Sequence, residues 1–267
     1  MLVSAVRLPE HTPPGKAAFQ AAEGIIARAA ARGVKLAVFP AFTGDAYGGG
    51  DPGAFFRALR EVSRKYPEMG ICPGTMREEA DGQAYRLSEL IVNGETLLRQ
   101  RQLYLSRTER GQGFSRGEAL AYADFMGFKT CIIMGTDVFY PQVSRLAALE
   151  GTALALCPAA YPAETGRPRQ AAGVWREAQL NLFFAVESCF AGTLGGRGYG
   201  GEQTVQAPLA LDVGGEGFLA RSTGEVAAAE LDAEKRIVGV SRFDVLAQLN
   251  PALYESMGMF GGGQWES

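Results

Sequence analysis

The sequence predicts a mixed α/β protein in which helices pack on β-sheet. Three observations predict it: strand and helix patterns alternate from Leu2 to Cys72, Asn93-Gly94 separates two alternating runs, and short hydrophobic runs recur between helical stretches as far as Leu231. At 267 residues, 47% hydrophobic and 21% charged, the composition is that of a globular chain. A folded chain of this size buries roughly three quarters of the surface it exposes when unfolded, ample for one large core. No composition break, low-complexity linker or internal repeat interrupts it, so residues 1–267 read as one domain.

The elements follow in order. Leu2 to Val6 is a short strand. Thr12-Pro13-Pro14 opens a helix whose apolar positions Phe19, Ala22, Ile25, Ile26 and Ala29 recur at helical spacing until Gly33 stops it. Val34 to Pro40 is a buried strand ended by proline. A second helix carries Phe55, Leu59, Val62 and Tyr66 on one face and leads to a strand at Gly70-Ile71-Cys72. Asn93-Gly94 signals a type I′ hairpin, because both residues tolerate positive φ, so Tyr85 to Val92 and Thr96 to Arg101 pair antiparallel. Ser106 to Gly117 reads as a polar loop. Next come a strand at Thr130 to Met134, a helix near Pro141 to Leu149 capped by Gly151, and a strand at Ala153 to Cys157. A helix around Val174 to Asn181 and a strand at Phe183 to Cys189 follow. The remainder reads as a Gly-rich loop and strands near Gln203 to Leu211, Gly217 to Ala220 and Val226 to Leu231.

Charge and rare residues exclude several function classes. With 26 Lys plus Arg against 29 Asp plus Glu there is no basic field, so nucleic acid is not an expected partner. The only histidine, His11, lies in the Pro9 to Pro14 stretch and reads as a surface-loop residue. A His-rich zinc site, a two-His iron site or a Ser-His-Asp triad would each depend on it, so no metal is expected. Cys72, Cys131, Cys157 and Cys189 form no C-x-x-C pair and sit in apolar stretches, as reduced core thiols do. Met1 to Arg7 lacks a signal-peptide pattern, and no run approaches the roughly 20 apolar residues of a membrane span. The expected location is the cytoplasm, away from membranes.

Three motifs lack the context their chemistry needs. Gly113-Phe114-Ser115-Arg116-Gly117 matches the nucleophile-elbow pattern, yet Arg107 to Gln112 is too polar for the strand that must precede Ser115, and His11 lies upstream. Gly196-Arg197-Gly198-Tyr199-Gly200-Gly201 matches a dinucleotide fingerprint, but a strand-like segment broken by Pro208 follows it, so it reads as a flexible loop over the sheet end. Arg99, Arg101, Arg107, Arg110 and Arg116 make the densest basic region. Two readings stand for it: a solvated surface and an anion-binding site.

The order of segments resembles the nitrilase, or carbon-nitrogen hydrolase, superfamily over essentially the whole chain. The matching pieces are Leu36-Ala37-Val38-Phe39-Pro40 with Gly44, Arg101-Gln102-Leu103-Tyr104-Leu105, and Glu109 with Phe114 and Gly117. They continue with Met134-Gly135-Thr136-Asp137, Phe139, Pro141 and Arg145, then Gly151 to Pro158, Trp175, Asn181, Pro208, Leu231-Asp232 and Tyr254. The resemblance implies an α-β-β-α sandwich that forms four layers, with mixed sheets, helices on the outer faces, no cofactor and pairing as a homodimer through helical faces. In that family a glutamate base, a lysine and a nucleophilic cysteine attack an amide or nitrile carbon, the carboxylate taking the thiol proton and the ammonium stabilising the oxyanion. Here the three matching positions hold Ala41, Gln102 and Gly135, and the glutamate after the turn is Gln142.

Two functional readings follow. The first is a protein that has lost this hydrolase chemistry and serves as a binding or interaction protein, its retained pocket suited to a small amine, amide or carboxylate, with Glu109 matching an extra pocket glutamate of many members. Asp137 reads first as a backbone-fixing residue. The second is a hydrolase that uses Cys157 or Cys189, each closing a strand where it opens near the pocket rim, or a water activated by Glu109 or Asp137. Cys131 is too far from Gly135, about 13 Å along one strand at about 3.3 Å per residue.

Overall fold

The computed structural model describes residues 1–211, 214, 216–243 and 252; the sequence match at Tyr254 lies outside them. The first half of the chain builds one sheet. Strand β1 (Leu2–Val6) runs parallel to β2 (Leu36–Val38), which runs parallel to β3 (Gly70–Cys72). Between them α1 (Lys16–Ala31) buries Ala18, Ala22, Ile25, Ile26 and Ala29, a stripe at helical spacing, and ends before Gly33 at φ +79°. A short helix, α2 (Thr43–Tyr47), follows β2. The longer α3 (Pro52–Lys65) starts where the Asp51 carboxylate accepts the Gly53 N–H at 2.9 Å, with Pro52 in the first turn.

Strands β4 (Met76–Ala80), β5 (Gln83–Val92) and β6 (Glu95–Arg101) extend this sheet by two hairpins. The predicted turn at Asn93-Gly94 has φ +49° and +78°, as a type I′ turn requires. The turn at Asp81-Gly82 is built alike, at φ +54° and +73°, and the strand before it is absent from the sequence reading. Ser106 to Gly117 is ordered secondary structure in place of the predicted polar loop. Helix α4 (Arg107–Gly111) has a capping box between Ser106 and Glu109, and β7 (Phe114–Ser115) pairs parallel with β5. Ser115 therefore sits on a sheet edge, with no helix after it.

The second half builds a second sheet from β8 (Tyr122–Phe125), β9 (Phe128–Ile132), β10 (Leu154–Ala159), β12 (Phe184–Cys189), β15 (Gln203–Gln206) and β16 (Phe218–Ser222). Its helices are α5 (Pro141–Leu149), α6 (Gly166–Gln170) and α7 (Arg176–Asn181), the last two joined through a π-helical turn at Ala171–Trp175. The Gly-rich loop predicted at Gly196 to Gly201 is instead part of a hairpin of β13 (Gly192–Leu194) and β14 (Arg197–Gly200), with β11 (Tyr161–Pro162) beside it. Strand β17 (Val226–Glu230) returns to the first sheet against β1, and α8 (Ala233–Phe243) follows.

The two sheets bury their facing sides against each other. Val3, Leu36, Val38 and Leu90 of the first meet Ile132, Leu156, Phe184 and Val186 of the second. The opposite side of the first sheet packs on α1 and α3, and that of the second on α5 and α7. Helix, sheet, sheet and helix are therefore stacked as the resemblance implies. Among the described residues no helix is long and apolar enough to cross a membrane, and His11 lies in an exposed turn.

Phe184 is sealed between the sheets beside Phe128, so Phe184→Ala is expected to lower unfolding stability by about 3–5 kcal/mol in urea titrations. Leu97→Ala, at an exposed position on β6, is expected to stay within about 0.5 kcal/mol of the parent. Equal losses at both positions would contradict this account of the core.

Candidate functional site

A cavity of about 760 Å³ opens beyond the carboxyl ends of the parallel strands: Phe42 follows β2, Gly135 and Thr136 follow β9, and Ala160 follows β10. Parallel strands end together there, and the loops leaving them diverge. Glu109 from α4, Tyr161 from β11, Arg169 from α6 and the β13–β14 hairpin complete its walls.

Gln102 leaves β6 with its N–H on the Arg86 carbonyl at 2.9 Å, and its carboxamide turns inward and is buried. Its Nε2 lies 2.9 Å from the Tyr104 carbonyl, 2.9 Å from Thr136 Oγ1 and 3.2 Å from Glu109 Oε2. A β-carbon built on Gly135 would stand 3.2 Å from that nitrogen, so the carboxamide occupies the space beside residue 135. Glu109 is held from the other side by the Ser106 N–H, which donates to Oε2 at 2.8 Å. Its carboxylate is thus an acceptor committed to the protein on one oxygen while the residue still lines the cavity. Ala41 is buried with its N–H on the Ala159 carbonyl at 3.2 Å, and Phe42 rather than Ala41 lines the cavity.

Asp137 fixes backbone. One of its oxygens accepts the N–H groups of Leu103 at 3.0 Å and Tyr104 at 2.6 Å, and the other accepts Leu103 at 3.1 Å. Burial pushes its carboxyl up to about 7 despite these donors. Gln142 is exposed and donates to the Tyr104 hydroxyl at 3.0 Å.

The expectation that Cys157 and Cys189 open at the rim is corrected. Strands β10 and β12 are buried along their whole length, and the cavity begins only after them, at Ala160. Cys157 faces the helices of the second sheet, and Cys189 packs with Ala159, Tyr161 and Phe139. Burial raises all four thiols, Cys72 to about 11, Cys131 to about 12, and Cys157 and Cys189 well above the ordinary range, so each stays protonated and unreactive at neutral pH. The arginine-rich stretch contributes Ser106, Thr108, Glu109, Gln112 and Phe114 to the cavity wall, but none of its five arginines lines it. Arg99 and Arg101 pair with Glu78, Arg110 donates to the Leu105 carbonyl at 3.1 Å, and Arg116 lies over the Tyr104 ring.

The sequence reading missed Glu187, a carboxylate inside the otherwise uncharged strand β12. It accepts from the Tyr161 hydroxyl at 2.8 Å, Gln170 at 3.0 Å, Gln206 at 3.1 Å and Thr204 at 3.3 Å, and so holds the cavity residue Tyr161 from behind. Full burial outweighs these donors and raises its carboxyl to about 7. A lone charged residue in an otherwise uncharged strand was the available signal. Among the described residues no His, Cys, Asp and Glu side chains cluster as metal ligands.

The fold is similar to that of solved amidases, among them one described as an amidase from the nitrilase superfamily. An amidase from Nesterenkonia sp. superposes with a TM-score of 0.79 at 19% identity, over 96% of this chain and 96% of that one. A glutamate-to-glutamine mutant of the amidase from Nesterenkonia sp. AN1, with acrylamide added at its active-site cysteine, gives 0.77 at 20% identity over 96% and 99%. A cysteine-to-alanine mutant in complex with butyramide gives 0.75 at 19% over 96% of both chains. No protein-family model and no curated protein sequence matches the chain. At such identities the likeness establishes the fold.

Asp137 and Glu187 have a consequence for stability. Each carboxyl titrates near 7 when folded and near its ordinary value, about 4, when unfolded. Between those limits the folded chain holds protons that the unfolded chain has released, so stability is highest at low pH, falls as pH rises through the window and levels off above about 7. The urea midpoint is expected to decline from about pH 5 to about pH 7.5, and Glu187→Gln to flatten that slope by up to about 3 kcal/mol. A variant slope equal to the parent's would contradict the assignment.

Proposed function

We propose that the chain is a single-domain member of the nitrilase superfamily that has lost the cysteine hydrolase chemistry and serves as a non-catalytic binding protein for a small molecule. The observation that carries this reading is the contact between Gly135 and Gln102. Where the family's nucleophile would project, there is no side chain, and a carboxamide stands 3.2 Å from the missing β-carbon. Gly135 also has φ +55°, a conformation that costs an L side chain roughly 1–2 kcal/mol. Ala41 has no group to take a proton, and Gln102 brings hydrogen-bond donors without the charge that stabilises an oxyanion. The cavity itself is kept, and Glu109 faces it from a rigid cap.

The relocated-nucleophile reading is the weaker one, because Cys157 and Cys189 are buried, protonated and outside the cavity lining. A water activated by Asp137 fares no better, since that carboxylate is buried and spent on two backbone N–H groups. Mutants of the Nesterenkonia amidase are found with acrylamide added at the active-site cysteine and in complex with butyramide, so linear amides are the first ligands to try. Incubated with linear amides and nitriles, the protein is expected to release no acid above the uncatalysed rate. A member of the panel that binds, present at about 100 times its Kd, is expected to raise Tm by about 5–10 °C. Turnover abolished by Cys157→Ser or Cys189→Ser would overturn the proposal.

The same reading carries a homodimer formed through the helical layer of the second sheet. Leu146 and Leu149 on α5 and Leu180 on α7 are 55%, 45% and 53% exposed, apolar groups that a partner's matching face would cover. Sedimentation velocity is expected to show a dimer that Leu146→Glu with Leu180→Glu converts to monomer. A monomeric parent would contradict it.

A further inference from the structure

The chain is slightly acidic, yet its cavity is not. Among the described residues four arginines line it, Arg77, Arg86, Arg169 and Arg197, against two carboxylates, Asp45 and Glu109. Both carboxylates are already engaged, Asp45 with Arg86 and Glu109 with Gln102 and the Ser106 N–H. Arg77 has Glu79 at 2.6 Å. Arg86 lies over the Phe42 and Phe114 rings at 5.1 and 4.6 Å, and its buried Nε–H has no acceptor among the described residues. Arg169 and Arg197 have no carboxylate partner among the described residues. The first donates to Thr165 Oγ1 at 3.1 Å and lies 5.9 Å from the Phe139 ring; the second lies 5.9 Å from that of Tyr199. They stand on abutting elements, because a β-carbon on Gly166 at the start of α6 would come 2.7 Å from the Gly200 carbonyl at the end of β14.

We propose that the cavity takes a small organic acid whose carboxylate is received by Arg169 and Arg197. This rests on the non-catalytic binding reading above and adds the charge class of the ligand. A guanidinium offers parallel N–H donors that match a carboxylate, and the faces of Phe139 and Tyr199 keep the two groups from dispersing into solvent. A neutral amide leaves both positive charges uncompensated. A bare inorganic oxyanion makes no use of the apolar walls that Phe42, Phe114, Phe139 and Leu194 provide for an organic body.

The test is titration calorimetry with 3-phenylpropionate, 3-phenylpropionamide and inorganic phosphate, on the parent and on Arg169→Ala with Arg197→Ala, with mass spectrometry of the amide solution afterwards. The acid is expected to bind at least tenfold tighter than the amide and to weaken in about 0.5 M salt. The double variant is expected to lose that tenfold advantage while binding the amide as before. Because both arginines are exposed, its melting temperature is expected to match the parent's, and Arg169→Lys with Arg197→Lys to retain part of the preference. Equal affinity for acid and amide, an unchanged preference in the double variant, or displacement of the acid by equimolar phosphate would each overturn the inference. Release of acid from the amide would instead overturn the non-catalytic reading, a result the calorimetry of the acid does not depend on.

Discussion

The Asp137 carboxylate joins two parts of the chain that the sheets alone would leave apart. It lies in the 3₁₀ turn Gly135–Phe139 that follows β9 in the second sheet, and it accepts the N–H groups of Leu103 and Tyr104, which follow β6 in the first. With that tie in place, Gly135 stands against the Gln102 carboxamide, and Thr136 and Glu109 fall within its reach. Burying a carboxylate is costly unless donors meet it, and two backbone amides held at fixed geometry are such donors. The site's architecture is therefore set by a group that the ligand does not need to touch.

The packing explains why the cavity lies where it does. Sheet-on-sheet burial aligns the carboxyl ends of β2, β9 and β10 at one edge of the sandwich, and the β13–β14 hairpin and α6 close over that edge. Behind the wall, Glu187 gathers Tyr161, Gln170, Thr204 and Gln206 into a buried polar cluster that fixes the position of the cavity residue Tyr161. The apolar strands β10 and β12 seal Cys157 and Cys189 beneath it.

Much of the fold was legible because its signals are local. The stripe from Ala22 to Ala29, the Asn93-Gly94 turn and the apolar run at Val34 to Pro40 each name one element, and each is found. What the sequence hid depends on long-range pairing. Met76–Ala80 is a half-exposed strand with three charged residues, held by its partner β5 rather than by its own pattern, although Asp81-Gly82 was a readable hairpin turn. The glycines of β13 and β14 suggested a loop, and pairing with β11 makes them a sheet. For the site, Gly135, Gln102, Glu109 and Asp137 were placed by their order along the chain, and they meet. Arg86, Arg169, Arg197 and Glu187 come from distant elements with no shared spacing, so only the folded chain brings the three arginines to the cavity and Glu187 behind its wall.

The central claim is that no reactive thiol faces this cavity, and intact-mass spectrometry of the native protein after incubation with acrylamide tests it most directly. A glutamate-to-glutamine mutant of the Nesterenkonia amidase carries that reagent added at its active-site cysteine. With Gly135 at the cavity and all four thiols buried and protonated, the mass of this chain is expected to stay unchanged until it is unfolded, when all four cysteines become available. A single rapid adduct on the folded protein, at Cys157 or Cys189, would contradict the account.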